Sequence, residues 1–204
     1  MSGQLNVYNV VALDFESTGL LKQDTQDPHQ QPGIVQIGAV KFANPGSFRP
    51  GAAFDESVAQ TYGQLIDPEC HFEEEAQKVT GLTPEDLYGK PTFSEAIGDF
   101  AEFMFDCKWL VTFNGAGFDI PLLQYNLRKA GLETRFPWPL IHYDIMKIST
   151  THLGLQGKQG NKWPNLQELH TGLFGEGFEG AHDAVVDAQH TLNCAAAMRQ
   201  KGWM

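Results

Sequence analysis

The sequence predicts an α/β fold in which a mixed β-sheet is covered by helices. Three strand-like segments open the chain, and helical and strand-like patterns alternate after them. The first strand, Val7 to Phe15, is β-branched and almost continuously apolar, as a strand buried on both faces reads. Composition agrees: 204 residues with 42% hydrophobic and 19% charged residues describe one globular domain spanning 1–204. A chain of this length buries roughly 70% of its unfolded surface, so its core requires neither disulfides nor a structural metal.

The segment Lys22 to Gly33 follows, with three charged residues, four glutamines, two prolines and no aliphatic residue; an exposed loop is expected there. Ile34 to Phe42 reads as the second strand, and a third lies near Val58 to Ile66. The first helical signal runs from Phe72 to Val79, with Gly81 placed to adopt the left-handed conformation that ends a helix. Thr92-Phe93-Ser94-Glu95 has the spacing of a capping box, and Ile97, Phe100, Ala101 and Met104 then fall on one helical face. Trp109 to Phe113 is the next strand, Leu122 to Ala130 the next helix, and Gly131 its stop. A short strand ends near Asp144, and helical patterns follow at Ile145 to His152, Leu166 to Leu173 and Ala184 to Arg199.

Lys and Arg number 14 and Asp and Glu 25, so the net charge is 14 − 25 = −11. That excludes a domain that grips nucleic acid by bulk electrostatics alone, while leaving local action on it open. Cys70, Cys107 and Cys194 are odd in number and far apart, which gives neither a disulfide framework nor the close pairs of a zinc site. A reducing, cytoplasmic setting is expected. No run approaches the ~18 consecutive apolar residues of a membrane span, so no membrane partner is expected.

Three polar clusters interrupt this pattern. Asp14 and Glu16 stand two apart at the end of the first strand, so the pleat points both carboxylates to one face. They read either as a solvated strand end or as oxygen ligands for Mg²⁺ or Mn²⁺. Asp119 follows Asn114-Gly115-Ala116-Gly117-Phe118, where a strand passes through small residues into a helix. It reads as a helix cap, or as a carboxylate beside a close approach to a ligand; Asn114 is a turn residue or a phosphate contact. The third cluster is His182-Asp183-Ala184-Val185-Val186-Asp187. Residues five apart on a helix are separated by about 140°, so His182 and Asp187 share a face only if His182 lies in the preceding loop. Asp183 reads as the N-cap, Asp187 as a like-charge neighbour that a cation would relieve, and His190 as structural.

Taken in order, Asp14-Phe15-Glu16-Ser17-Thr18-Gly19-Leu20, Asn114 with Phe118-Asp119, and His182-Asp183-Ala184 with Asp187 resemble the three motifs of the DnaQ-like (DEDDh) 3′→5′ exonucleases. Ile34 to Val40 is similar to the family's second strand, and Val79 to Thr83 to the segment after its third. The resemblance implies a ribonuclease-H-like mixed β-sheet flanked by α-helices on both faces. It implies Asp14, Glu16, Asp119 and Asp187 as ligands of two divalent cations, Mg²⁺ or Mn²⁺, and His182 as general base. It further implies release of nucleoside 5′-monophosphates from 3′ ends of single-stranded or frayed nucleic acid, DNA favoured, with a DNA polymerase as a possible partner. Two departures stand out: Phe113 occupies a position where many members carry histidine, and the Lys22 to Gly33 loop is longer than in compact members.

The resemblance also sets Thr18, Gly19 and Leu20 against the terminal nucleotide, with Leu20 either a wedge beside the last base or a core leucine of a turn. Lys158, Lys162 and Trp163 join positive charge to an aromatic ring, which suits tracking of a single strand, or a flexible loop anchored by Trp163. The competing functions are an RNA-trimming exoribonuclease of the same family and a non-catalytic, polymerase-associated binding module.

Overall fold

The computed structural model describes residues 9–42, 59–158 and 160–204. Of the expected strand residues, Val7, Tyr8 and Val58 lie outside these. A five-stranded sheet is built from β1 (Asn9–Ser17), β2 (Ile34–Phe42), β3 (Ala59–Leu65), β4 (Cys107–Thr112) and β5 (Ile141–Asp144), in the order β3-β2-β1-β4-β5. β2 is antiparallel to both β1 and β3, while β4 and β5 run parallel to β1, so the sheet is mixed as expected.

Residues of β1 alternate between two cores. Val11, Leu13 and Phe15 face the helices α3 (Phe93–Met104) and α4 (Asp119–Lys129) through Ala96, Ile97, Phe100, Leu122 and Leu123. Val10 and Ala12 face α5 (Ile145–Leu153), α6 (Leu166–Phe174) and α7 (Ala184–Gln200) through Ile145, Leu169, Leu192 and Ala195. A strand covered on both sides has no polar face, which accounts for its unbroken apolar character. By the same alternation Asp14 and Glu16 share the face of Val10 and Ala12, the face that α7 covers.

The remaining elements are α1 (Glu74–Thr80), α2 (Pro84–Leu87), 3-10 turns at Pro28–Gln30 and Glu133–Arg135, and a two-stranded hairpin of β6 (Gln156–Gly157) and β7 (Gly160–Asn161). α1 ends at Gly81 with φ 71°, and the capping box of α3 forms, with Thr92 N–H donating to Glu95 Oε2 at 2.8 Å. α2 has no counterpart in the sequence reading, because one turn is too short to show a helical period. Two expectations need correction. α4 begins at Asp119 rather than Leu122, since Pro121 is tolerated in a first turn. The Lys22 to Gly33 loop is exposed only in part: Gln31, Pro32 and Gly33 are buried. There Gln31 plugs the loop, accepting the Lys22 N–H and donating to the Lys22 and Thr25 carbonyls, all at 2.8–2.9 Å. A polar side chain that satisfies backbone groups can be buried without penalty.

The contact that positions α7 is a glycine. A Cβ on Gly38 of β2 would lie 2.1 Å from the Ala184 carbonyl carbon, so the first turn of α7 rests on bare backbone directly opposite Asp14. Beside it, Gln36 accepts the Ala184 N–H and donates to Asp183 Oδ2, each at 3.1 Å. Gly38→Ala must push the helix off the sheet; we expect a loss of about 1–3 kcal/mol by denaturant unfolding. A variant as stable as the parent would contradict this packing.

Candidate active site

Three chain segments deliver the acidic residues. Asp14 and Glu16 come from the end of β1, where a bulge between Glu16 and Ser17 shifts the register. β1 runs on to Ser17, so both carboxylates sit within the strand rather than beyond it. Asp119 opens α4 and is 3% exposed; its Oδ1 accepts the Phe15 N–H at 3.0 Å, tying the helix to β1 between the two strand carboxylates. Asp187 lies in the first turn of α7. Asp183 caps that helix, accepting the N–H groups of Val185 and Val186 at 2.9 and 3.1 Å.

His182 lies in the loop before α7, the placement that its spacing from Asp187 requires. Its φ is 70°, and its N–H donates to Asp187 Oδ2 at 3.1 Å. The ligand atoms of Glu16, His182 and Asp187 all lie within 4.8 Å of one another. The imidazole is on the exposed side, open to solvent, while Asp187 beneath it is buried.

Crowding of carboxylates in a partly dry site raises their pKa values. Asp14 is pushed well above the usual carboxylate range by burial first, then by Asp119, Asp187 and Glu16. Burial, with Asp187 and Asp119, raises Glu16 from 4.5 to about 8. Burial also raises Asp119 against the opposing pull of the Phe15 N–H, and raises Asp187 against that of the His182 N–H. The other oxygen of Asp187, Oδ1, is buried and meets no donor among the described residues. An unpaired acceptor amid mutually repelling carboxylates is the environment that a divalent cation satisfies, and four carboxylates form the hard oxygen set that Mg²⁺ or Mn²⁺ prefers.

Beside the cluster lies a cleft of about 550 Å³ lined by Glu16, Ser17, Gly19, Leu20, Glu73, Ala76, Val79, Asn114 and Phe118, among others. Leu20 is 79% exposed, which rules out a core role for it. Gly19 has Glu73 against it: a Cβ there would lie 2.5 Å from the Glu73 carboxyl carbon. Asn114 adopts φ 61°, the turn conformation, and its N–H and that of Ala116 donate to Asp144 at 3.0 and 3.2 Å.

Not every expected contact reaches this cleft. Thr18 stands behind it, with its N–H donating to the Gly33 carbonyl and its hydroxyl accepting the Gly33 N–H. Lys158 lies in the turn of the hairpin between α5 and α6, Lys162 and Trp163 follow β7, and none of the three lines this cleft. Lys162 also pairs with Glu168, and Trp163 is exposed rather than an anchor. Conversely, Gln36, Gly38, Glu73 and Asp144 shape the site and went unnoticed. A polar residue and a glycine on one face of the largely apolar β2, and an acid at the end of β5, were the signals available.

A family model described as "Exonuclease" (RNase_T) matches residues 11–195. The chain therefore belongs to the RNase_T exonuclease family, and its DnaQ-like motifs are those of a relative rather than a coincidence of spacing. DNA polymerase III subunit epsilon of Rickettsia conorii is 32% identical over 117 residues, 57% of this chain and 43% of that protein. The subunit epsilon of Treponema pallidum is 27% identical over 187 residues, 92% of this chain and 74% of that one. The chain thus spans less than half the length of the Rickettsia relative. Among solved structures, exonuclease I superimposes with a TM-score of 0.72 at 16% identity, over 96% of this chain and 42% of that one. A zinc-bound E. coli ExoI–ssDNA complex does so at 0.70 and 15% identity, over 95% and 41%. The fold is ribonuclease-H-like, a mixed sheet flanked by helices on both faces.

The electrostatics make a test independent of turnover. A carboxyl raised to about 8 keeps a proton in the folded state that the unfolded chain releases above about pH 4.5. Its contribution to stability is therefore complete below that value and is lost as pH rises through the folded value. In EDTA the thermal midpoint should fall between about pH 5 and pH 8, Mn²⁺ should suppress the fall, and Glu16→Gln should shrink it. Midpoints flat in pH under both conditions would contradict the crowding.

Proposed function

We propose that the chain is a metal-dependent 3′→5′ exonuclease that releases nucleoside 5′-monophosphates from the 3′ ends of single-stranded or frayed nucleic acid, with DNA favoured. The observation that carries this reading is the buried Oδ1 of Asp187, without a donor among the described residues, amid carboxyls raised by burial and by neighbouring carboxylates. Asp14, Glu16, Asp119 and Asp187 would hold two divalent cations, Mg²⁺ or Mn²⁺. When bound, such a pair supplies positive charge to the attacking and leaving oxygens of a phosphodiester.

The chain's own groups divide the remaining work. His182, exposed beside Asp187, takes the proton of the attacking water and passes it to solvent. Leu20 and Phe118 offer apolar surface to the last base, and base stacking on such surface is worth about 1–3 kcal/mol. Asp144 holds the Asn114 turn by two N–H groups, keeping that side of the cleft open. DNA is favoured because the relatives are subunits of DNA polymerase III and a structural neighbour holds ssDNA. The same relatives support a DNA polymerase as partner. No helix among the described residues is long and apolar enough to cross a membrane.

Digestion of matched 5′-labelled DNA and RNA single strands with Mg²⁺ should give ladders shortening from the 3′ end, faster on DNA, blocked by a 3′-phosphate and abolished by EDTA. Cleavage of circular single strands at a comparable rate would refute the exonuclease reading. A paired end must fray at a cost of a few kcal/mol, so a mismatched 3′ end should be removed faster than a paired one.

Ligands and base separate by mutation. Asp14→Ala should weaken Mn²⁺ binding in calorimetry together with turnover, whereas His182→Ala should keep the binding and lower the single-turnover rate by about 10²–10⁴-fold. The spacing around His182 admits a second reading, as a metal ligand. Lost Mn²⁺ affinity in His182→Ala would favour that one.

A further inference from the structure

The loop from Gly175 to Asp183 joins α6 to α7 and carries His182. Gly175, Gly180 and His182 have φ of 88°, 79° and 70°. For His182 this is a conformation that a residue with a Cβ keeps only when its surroundings impose it. Two constraints are local, the bond from its N–H to Asp187 and the turn closed across it by the Asp183 N–H on the Gly180 carbonyl at 3.3 Å. A third is at the far side of the loop.

On α6 the Gln167 side chain donates from Nε2 to the Phe178 carbonyl at 2.6 Å and accepts the Phe178 N–H at Oε1 at 3.0 Å. The two bonds grip both polar groups of one residue, as a neighbouring strand would. Gly177 makes room for the grip, since a Cβ there would lie 2.7 Å from Gln167 Oε1. The Phe178 ring stacks on His190 of α7, centroids 3.9 Å apart, and meets His170 edge-on at 5.2 Å. His170 in turn bonds through Nδ1 to the Glu176 carbonyl at 2.7 Å. Between the gripped Phe178 and the tethered His182 lie Glu179, Gly180 and Ala181, too short a span to relocate the imidazole while both ends hold.

We propose that Gln167 is a positioning residue for His182. Its clamp on Phe178 sets where the loop leaves α6, and hence where the imidazole stands over Asp187, without contact with substrate or with the carboxylates. This rests on the reading of His182 as the proton acceptor.

The test is a double-mutant cycle in the full chain with Mg²⁺. Gln167→Ala should lower kcat by about 10–100-fold, as misplacement of a reacting group does, with KM and calorimetric Mn²⁺ affinity retained. Gln167→Glu keeps the acceptor and loses the donor, and should fall between that variant and the parent. In a His182→Ala background, Gln167→Ala should have no further effect. Without metal, exchange of the Phe178 amide hydrogen, followed by NMR, should speed up in Gln167→Ala while amides of the sheet stay protected. A kcat unchanged by Gln167→Ala, or losses that multiply in the double variant, would overturn the proposal. Full activity of His182→Ala alone would instead remove the proton-acceptor reading and this inference with it.

Discussion

Four carboxylates must be held together in a partly dry site against their own repulsion, and much of the architecture around them serves that constraint. Burial raises every member of the set and repulsion adds to it, Asp14 feeling Asp119, Asp187 and Glu16 together. No flexible loop could keep such a group assembled. The carboxylates are instead carried by a central strand and by the first turns of two helices, elements whose positions are set by apolar cores on both faces of the sheet.

The polar contacts around the cluster act on backbone rather than on charge. Asp119 accepts a strand N–H, Asp187 accepts the His182 N–H, Asp183 caps α7, and Gln36 bridges β2 to the same helix start. The bonds of Asp119 and Gln36 fix distances between elements that hydrophobic packing alone leaves free to slide, and those of Asp183 and Asp187 fix the start of α7 and the loop before it. Gly38 supplies the remaining requirement, absence of bulk, and so lets the start of α7 lie against the strand paired with Asp14. His182 is placed differently, on an exposed loop with φ 70° and with its N–H bonded to Asp187, so that it meets solvent on one side and the carboxylates on the other.

Elements with a strong local signature were legible. β2 has the bounds read from its apolar run, and α3 begins where Thr92 and Glu95 complete their capping box. Gly81 ends α1 because the left-handed conformation leaves its mark on residue type. Elements without a period of their own were not: α2 is a single turn, and Gln31 is buried in a loop whose composition is that of an exposed one. The motif residues Asp14, Glu16, Asp119, His182 and Asp187 were found through order and family resemblance. Each alone reads as a cap or a solvated turn.

By itself the sequence determined the kinds of group available: carboxylates, imidazoles, a mixed sheet to carry them, and an acidic net charge that opposes nonspecific grip on nucleic acid. These follow from residue type and near-neighbour spacing, which are local. Tertiary structure alone decided which groups meet. It placed Gly38 under Ala184, gave Gln167 its hold on Phe178, left Leu20 exposed at the cleft, and paired Lys162 with Glu168. Such pairings depend on how helices cross the sheet, and that is set by the summed packing of two cores, which no short segment of the chain encodes.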